Sequence, residues 1–164
     1  MNHKKIAFIL CANDDTEFSE CRFYLDRLIL PEGIEKDIIT IEEAPSMTAG
    51  YNAGMQSSDA KYKVYLHQDV FIIYKDFIKD LVNVFQNNPN LGLAGCIGTT
   101  QINAETLAVT SWDTGNIYHN CTPMHMNFPY PVQGQPVKTA ALDGLLLATQ
   151  YDLPWREDLM DGWD

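Results

Sequence analysis

The sequence predicts an α/β fold: a mostly parallel sheet with flanking helices, followed by a long irregular region. Three observations point there. Ile6 to Cys11 is a continuous apolar run, the pattern of a parallel strand covered on both faces. Short apolar runs then alternate with stretches whose apolar residues recur at three- and four-residue spacing. Finally, 164 residues with 46% hydrophobic and 20% charged side chains suit one folded domain and exclude disorder.

Each element follows from local chemistry. After the first strand, Asp14, Asp15 and Glu17 sit where a helix N-terminus favours negative charge. Phe18, Cys21, Leu25 and Leu28 form one buried helical stripe, ended by Pro31-Glu32-Gly33. Asp37 to Ile41 is a second strand. Ser46 is placed to cap a short helix running through Met55. Lys63 to Leu66 is a third strand. Phe77, Ile78, Leu81, Val82 and Phe85 make another helical stripe, stopped near Asn87-Asn88-Pro89, and Leu91 to Ile97 is a fourth strand. From about Thr99 to Pro136 the period lapses, and a stretch this long is functional or hides short strands. Thr139 to Thr149 restores an apolar strand, and Trp155 to Met160 begins a helix.

Charge narrows the partners. Eleven Lys and Arg against 22 Asp and Glu give a net charge of −11, so a general nucleic-acid binder is excluded. A phosphate ligand would need a metal ion or backbone N–H groups to offset that charge. Cys11, Cys21, Cys96 and Cys121 are scattered without a C-x-x-C pair and read as reduced thiols of an intracellular protein. The apolar run after Met-Asn-His-Lys-Lys is short, and Asn13-Asp14-Asp15 stands in place of a small-residue cleavage site. A buried first strand is therefore expected, in a protein that is cytoplasmic or peripheral to the inner face of a membrane. No apolar segment is long enough to span a bilayer.

In open parallel sheets ligands lie beyond the carboxyl ends of the strands. The residues there are Cys11-Ala12-Asn13, Glu42-Glu43 and His67-Gln68-Asp69. An Asp between Val64-Tyr65-Leu66 and Val70-Phe71-Ile72 is placed to share Mg²⁺ or Mn²⁺ with substrate phosphates, or to cap the next element.

Ala49-Gly50-Tyr51-Asn52-Ala53-Gly54-Met55, then Ala60-Lys61-Tyr62-Lys63, then Tyr65-Leu66-His67-Gln68-Asp69 resembles the core of family 2 glycosyltransferases. The likeness runs from Ile6 through Gly98, resumes at Leu142-Asp143-Gly144, and is strongest to the glycosyltransferase-like branch with His-Gln-Asp in place of Asp-x-Asp. It implies a GT-A fold and a nucleotide-sugar donor, here a uridine diphosphate sugar, with inversion at the anomeric carbon. By the resemblance Cys11, Ala12 and Asn13 line the base pocket, Glu43 contacts base or ribose, and Asn52, His67 and Gln68 belong to the nucleotide site. Asp69 matches the last Asp of Asp-x-Asp and would hold Mn²⁺ or Mg²⁺ with His67, which brings no negative charge of its own. The resemblance also implies a general base, Asp164 or Asp158, near Trp155-Arg156-Glu157-Asp158 and Asp161-Gly162-Trp163-Asp164. Asp143 and Trp163 would meet an acceptor that is a glycan, a lipid or a protein. The expected layout is a single, short or truncated catalytic domain, with residues 1–98 as nucleotide-binding half and 99–164 as acceptor side.

Other patterns carry less. His119-x-Cys121-x-x-x-His125 has three zinc-type ligands without a fourth at a usual spacing. Gly92-x-x-Gly95-x-x-Gly98 lacks a following Lys-Ser/Thr and reads as close packing. Trp112, Tyr118, Tyr130, Trp155 and Trp163 suit either a sugar platform or packing beneath a loop. Two rival functions are a non-catalytic nucleotide-sugar-binding module and a sugar nucleotidyltransferase. The second would want a basic, Gly-rich loop where Cys11-Ala12-Asn13-Asp14-Asp15 stands.

Overall fold

The computed structural model describes residues 1–121, 124–129 and 136–162, of which 119–121 and 124–129 are described by their backbone alone. They fall into two compact units, Met1–Leu93 with Ala148–Asp164, and Ala94–Leu147.

The first unit holds β1 (Asn2–Ala12), α1 (Asp15–Asp26), β2 (Glu35–Glu42), α2 (Met47–Gln56), β3 (Ala60–Leu66) and α3 (Phe77–Asn87). β1 pairs in parallel with β2 on one side and with β3 on the other. Short strands β4 (Leu93–Gly95) and β9 (Leu146–Thr149) complete a sheet of order β2-β1-β3-β9-β4. Ile6 to Leu10 are fully buried, as an apolar run with no polar alternation requires. Alternate residues serve opposite faces. Ala7 and Ile9 pack with Tyr51 and Met55 of α2, whereas Phe8 meets Phe77 of α3 at 6.3 Å between ring centroids.

Capping follows the sequence expectation. Asp14 accepts from the backbone N–H groups of Thr16 and Glu17 at 2.8 and 3.0 Å, and Ser46 accepts from Ala49 at 3.2 Å. α1 ends earlier than its apolar stripe suggests: Asp26 is its last residue, and Leu28 is buried from the turn beyond. Pro31-Glu32-Gly33 then forms a tight turn, with Ile34 N–H bonded to Pro31 O and Gly33 at φ +74°.

The Gly50-x-x-x-Gly54 spacing places two glycines on the face of α2 that meets β1. A Cβ at Gly50 would overlap the Cys11 sulfur, and one at Gly54 would overlap Ile9 Cγ2. Helix and sheet approach that closely only because both side chains are absent.

The second unit contains β5 (Ile97–Thr99), β6 (Thr114–Cys121), β7 (Met124–Pro129) and β8 (Ala141–Leu142), in the order β7-β6-β5-β8. The pairs β5–β6, β5–β8 and β6–β7 are antiparallel. Three expectations are corrected here. The run from Leu91 to Ile97 is not one strand but two, β4 and β5, which belong to different sheets. Close packing does explain Gly98, whose Cβ would press on Ala141 O at 2.8 Å. The segment from Thr139 to Thr149 is divided into β8 and β9 by a turn in which Asp143 Oδ1 accepts from Leu145 N–H at 2.9 Å. Part of the stretch read as irregular is the β6–β7 pair.

The third correction concerns Trp155 to Met160, which is not a helix. Asn52 on α2 takes the Trp155 backbone instead: its Oδ1 accepts from Trp155 N–H at 2.8 Å and its Nδ2 donates to Trp155 O at 2.9 Å. Beyond it, only a single turn closes between Arg156 and Met160.

Candidate functional site

β1 leads through α1 to β2 on one side, and β2 leads through α2 to β3 on the other. The crossover direction therefore reverses between β1 and β3, and a crevice opens at their carboxyl ends. A cleft of about 220 Å³ lies there, lined by Cys11, Asn13, Glu17, Met47, Tyr51, Leu66, His67, Gln68 and Asp69. Five residues singled out from the sequence, Cys11, Asn13, His67, Gln68 and Asp69, come together in it.

The cleft is acidic and amide-rich, with no Lys or Arg in its lining. Asp69 is exposed and takes part in no ion pair among the described residues. Its charge reaches Cys21, whose thiol is pushed up to about 12 mainly by burial and further by Asp69. His67 presents a different feature: its Nε2 is buried with no hydrogen-bond partner. A buried imidazole nitrogen without a partner is costly unless a ligand supplies one.

His67 and Asp69 are metal-type ligands by chemistry. Among the described residues, no group of three or more His, Cys, Asp or Glu gathers to hold an ion. Two side chains do not cage an ion by themselves; any ion they held would take its remaining ligands from elsewhere.

Cys11 lines the cleft half-buried, with Sγ 3.8 Å from Met47 O, and burial pushes its thiol up to about 11. Cys11, Cys21 and Cys96 are free thiols. With the thiol pushed up, little of Cys11 is ionised at pH 8, and only the thiolate is nucleophilic. Alkylation of the native protein at pH 8 should therefore be slow at Cys11 and slower at Cys21, and become fast in denaturant. Rapid native labelling of Cys11 would contradict its packing against α2.

Several sequence-derived candidates lie elsewhere. Ala12 ends β1 but does not line the cleft. Glu43 is exposed just beyond β2 in a left-handed conformation, φ +53°, and is also outside the lining. Asn52 is 8% exposed and clamps the C-terminal segment: besides the Trp155 backbone, its Nδ2 reaches Glu157 Oε1 at 2.6 Å. Thr48 Oγ1 bonds Met160 O, and Met47 N–H bonds Gly162 O at 3.2 Å, so the first two turns of α2 carry the whole segment. Trp155 packs tilted against Tyr51 and edge-on against Tyr65, with ring centroids at 5.3 and 5.0 Å. Asp158 is exposed and held by Arg156 through two contacts of 2.6 Å, which keep its carboxyl below the usual range. Asp143 belongs to the second unit. Asp164 and Trp163 lie outside the described residues, as do Tyr130 and the side chains of His119, Cys121 and His125.

Sequence reasoning missed Glu17, Met47 and Tyr51 as cleft residues. The signal was available for Glu17, in the first turn of the helix that leaves β1. For Met47 and Tyr51 it was hidden, since the i, i+4 pair reads as core.

The Asn52 clamp makes a prediction of its own. Asn52→Ala removes all three of its bonds to the segment, each worth about 1 kcal/mol. Tryptic cleavage after Arg156 should then accelerate roughly tenfold or more, while residues 1–93 stay folded. Unchanged cleavage would mean that the segment is held by the aromatic contacts alone.

Comparison with known proteins supplies the remaining finding. A family profile described as "Glycosyltransferase like family" matches residues 7–164. Among solved structures, similarity is found to S. aureus TarS, with 10% identity, a TM-score of 0.43 and coverage of 64% of this chain and 23% of that one. A second match is S. aureus TarS 1–349 in complex with UDP, at 9% identity, a TM-score of 0.43 and coverage of 65% and 38%. The chain thus spans about a quarter to two-fifths of the length of these structures. No curated protein matches it.

Proposed function

The chain belongs to the glycosyltransferase-like family, and from that premise we propose that it binds a nucleotide sugar, a UDP-sugar, in the β1–β3 cleft and passes the sugar to a glycan, lipid or protein acceptor. The observation that carries the reading is the cleft itself. It sits at the switch point of the sheet, its polar lining holds amides, carboxylates and His67 with no Lys or Arg, and Asp69 contributes a carboxylate outside any ion pair among the described residues. A diphosphate could enter such a site only with a cation to offset its charge. Asp69 and His67 are the side chains that would hold Mn²⁺ or Mg²⁺, and the ion would supply Lewis-acid stabilisation of the departing diphosphate. Asn13 and Tyr51 offer an amide and an aromatic wall for the nucleoside. Transfer by direct displacement, inverting the anomeric carbon, remains part of the proposal.

A second reading has one observation in its favour. Asp158 is held by Arg156 with its carboxyl shifted down, which makes it a poor proton acceptor. A nucleotide-sugar-binding module without transfer activity would look the same at the cleft. No helix among the described residues is long and apolar enough to cross a membrane.

Thermal unfolding with UDP, with and without Mn²⁺, tests the binding step. At a hundred times its Kd a ligand adds about 2.7 kcal/mol, a shift of several degrees for a domain of this size. Stabilisation by UDP and Mn²⁺ together, exceeding either alone, is expected, and no stabilisation would contradict the assignment. Slow hydrolysis of a UDP-sugar then separates transferase from module.

A further inference from the structure

The side-chain amide of Gln68 makes four hydrogen bonds, and all run to one turn. Its Oε1 accepts from the backbone N–H groups of Asn13 and Asp14 at 2.9 and 3.1 Å. Its Nε2 donates to Asn13 Oδ1 at 2.6 Å and to Glu17 Oε2 at 3.3 Å. An amide offers one oxygen with two lone pairs and two N–H donors. Gln68 has no hydrogen-bonding capacity left for a ligand.

What the amide covers matters equally. Backbone N–H groups between a strand and the helix that follows form a ready cradle for phosphate. Here Gln68 takes two of them, those of Asn13 and Asp14, and the Asp14 carboxylate takes two more, those of Thr16 and Glu17 on the far side of Asp15. Asp15 and Glu17 add negative charge beside them. We infer that Gln68 is a positioning residue: it closes the β1–α1 turn to phosphate and fixes Asn13 and Glu17 as one wall of the cleft. It acts through Asn13 and touches no ligand itself. This rests on the nucleotide reading of the cleft and specifies how one side of that cleft is built.

The latch can be tested without any ligand. In Gln68→Ala the amide protons of Asn13 and Asp14 should exchange roughly tenfold faster or more than in the wild type, because their acceptor is gone. Equal exchange rates would overturn the inference. The second arm uses uridine and UDP as probes, one without phosphate and one with it. Gln68→Ala should weaken both by a similar factor, leaving the ratio of their affinities unchanged. A loss confined to UDP would make Gln68 a direct phosphate contact and overturn the positioning role.

A charge swap guards against a merely unstable variant. Gln68→Glu keeps an oxygen for the two N–H groups but turns a second carboxylate oxygen toward Asn13 Oδ1 and Glu17. Uridine affinity should fall. Adding Glu17→Gln, which gives that oxygen a donor, should restore most of it, and no restoration would count against the latch. A wild-type protein that binds neither probe would overturn the nucleotide reading instead, and the exchange comparison would still decide whether Gln68 holds the turn.

Discussion

Asp69→Asn should abolish the metal-dependent part of UDP binding while leaving the fold intact. The carboxylate is exposed, unpaired and isosteric with its replacement, so the substitution removes charge with little change in packing. Losing an outer-shell partner alone costs a metal site roughly 10–100-fold in affinity. Loss of a direct carboxylate ligand in a cleft with no Lys or Arg should cost at least as much. Calorimetry with UDP and Mn²⁺ on the two proteins decides it. Without metal, UDP should bind weakly to both proteins, and no more weakly to the variant, which has one negative charge fewer. Equal affinity with metal would remove Asp69 from the cation site and leave His67 without its expected companion.

Gly54→Val should destabilise the first unit by about 1–3 kcal/mol, the usual cost of forcing extra methyls into a packed core. Ile9 is fully buried and β-branched, so its Cγ2 has one preferred rotamer and nowhere to retreat. α2 would have to lift from β1, and it carries Met47 and Tyr51 on the cleft wall. Urea unfolding should show a lowered midpoint with an unchanged slope. Gly144→Ala is the internal control, since a Cβ there meets nothing within 4 Å and it should be neutral. A Gly54 variant as stable as the control would mean that α2 does not sit directly on β1.

The parallel half of the fold was legible because each element obeys one local rule. The run from Ile6 to Leu10 is apolar on both faces, Ser46 caps α2, and the stripe from Phe77 to Phe85 has helical spacing. The rest depends on tertiary partners. Trp155 to Met160 has helical composition, but its backbone is tied to α2 at both ends, Trp155 by Asn52 and Met160 by Thr48, and closes only one turn. Leu91 to Ile97 reads as one strand because the break at Cys96 has no turn residue beside it except Gly95. The β6–β7 pair was hidden in a stretch of Asn, Thr and His that shows no clean alternation. At the site, the strand ends brought out Cys11, Asn13, His67, Gln68 and Asp69. Which of these face a ligand and which face each other was invisible, since an amide that latches a turn and one that binds a base look alike in one dimension.

The most direct test of the nucleotide cleft is chemical-shift mapping of backbone amides during titration with UDP and Mg²⁺. The account predicts saturable changes concentrated at Asn13, Tyr51, His67 and Asp69, with the 94–147 unit largely silent. Saturable changes confined to that second unit, or none at millimolar UDP, would contradict it.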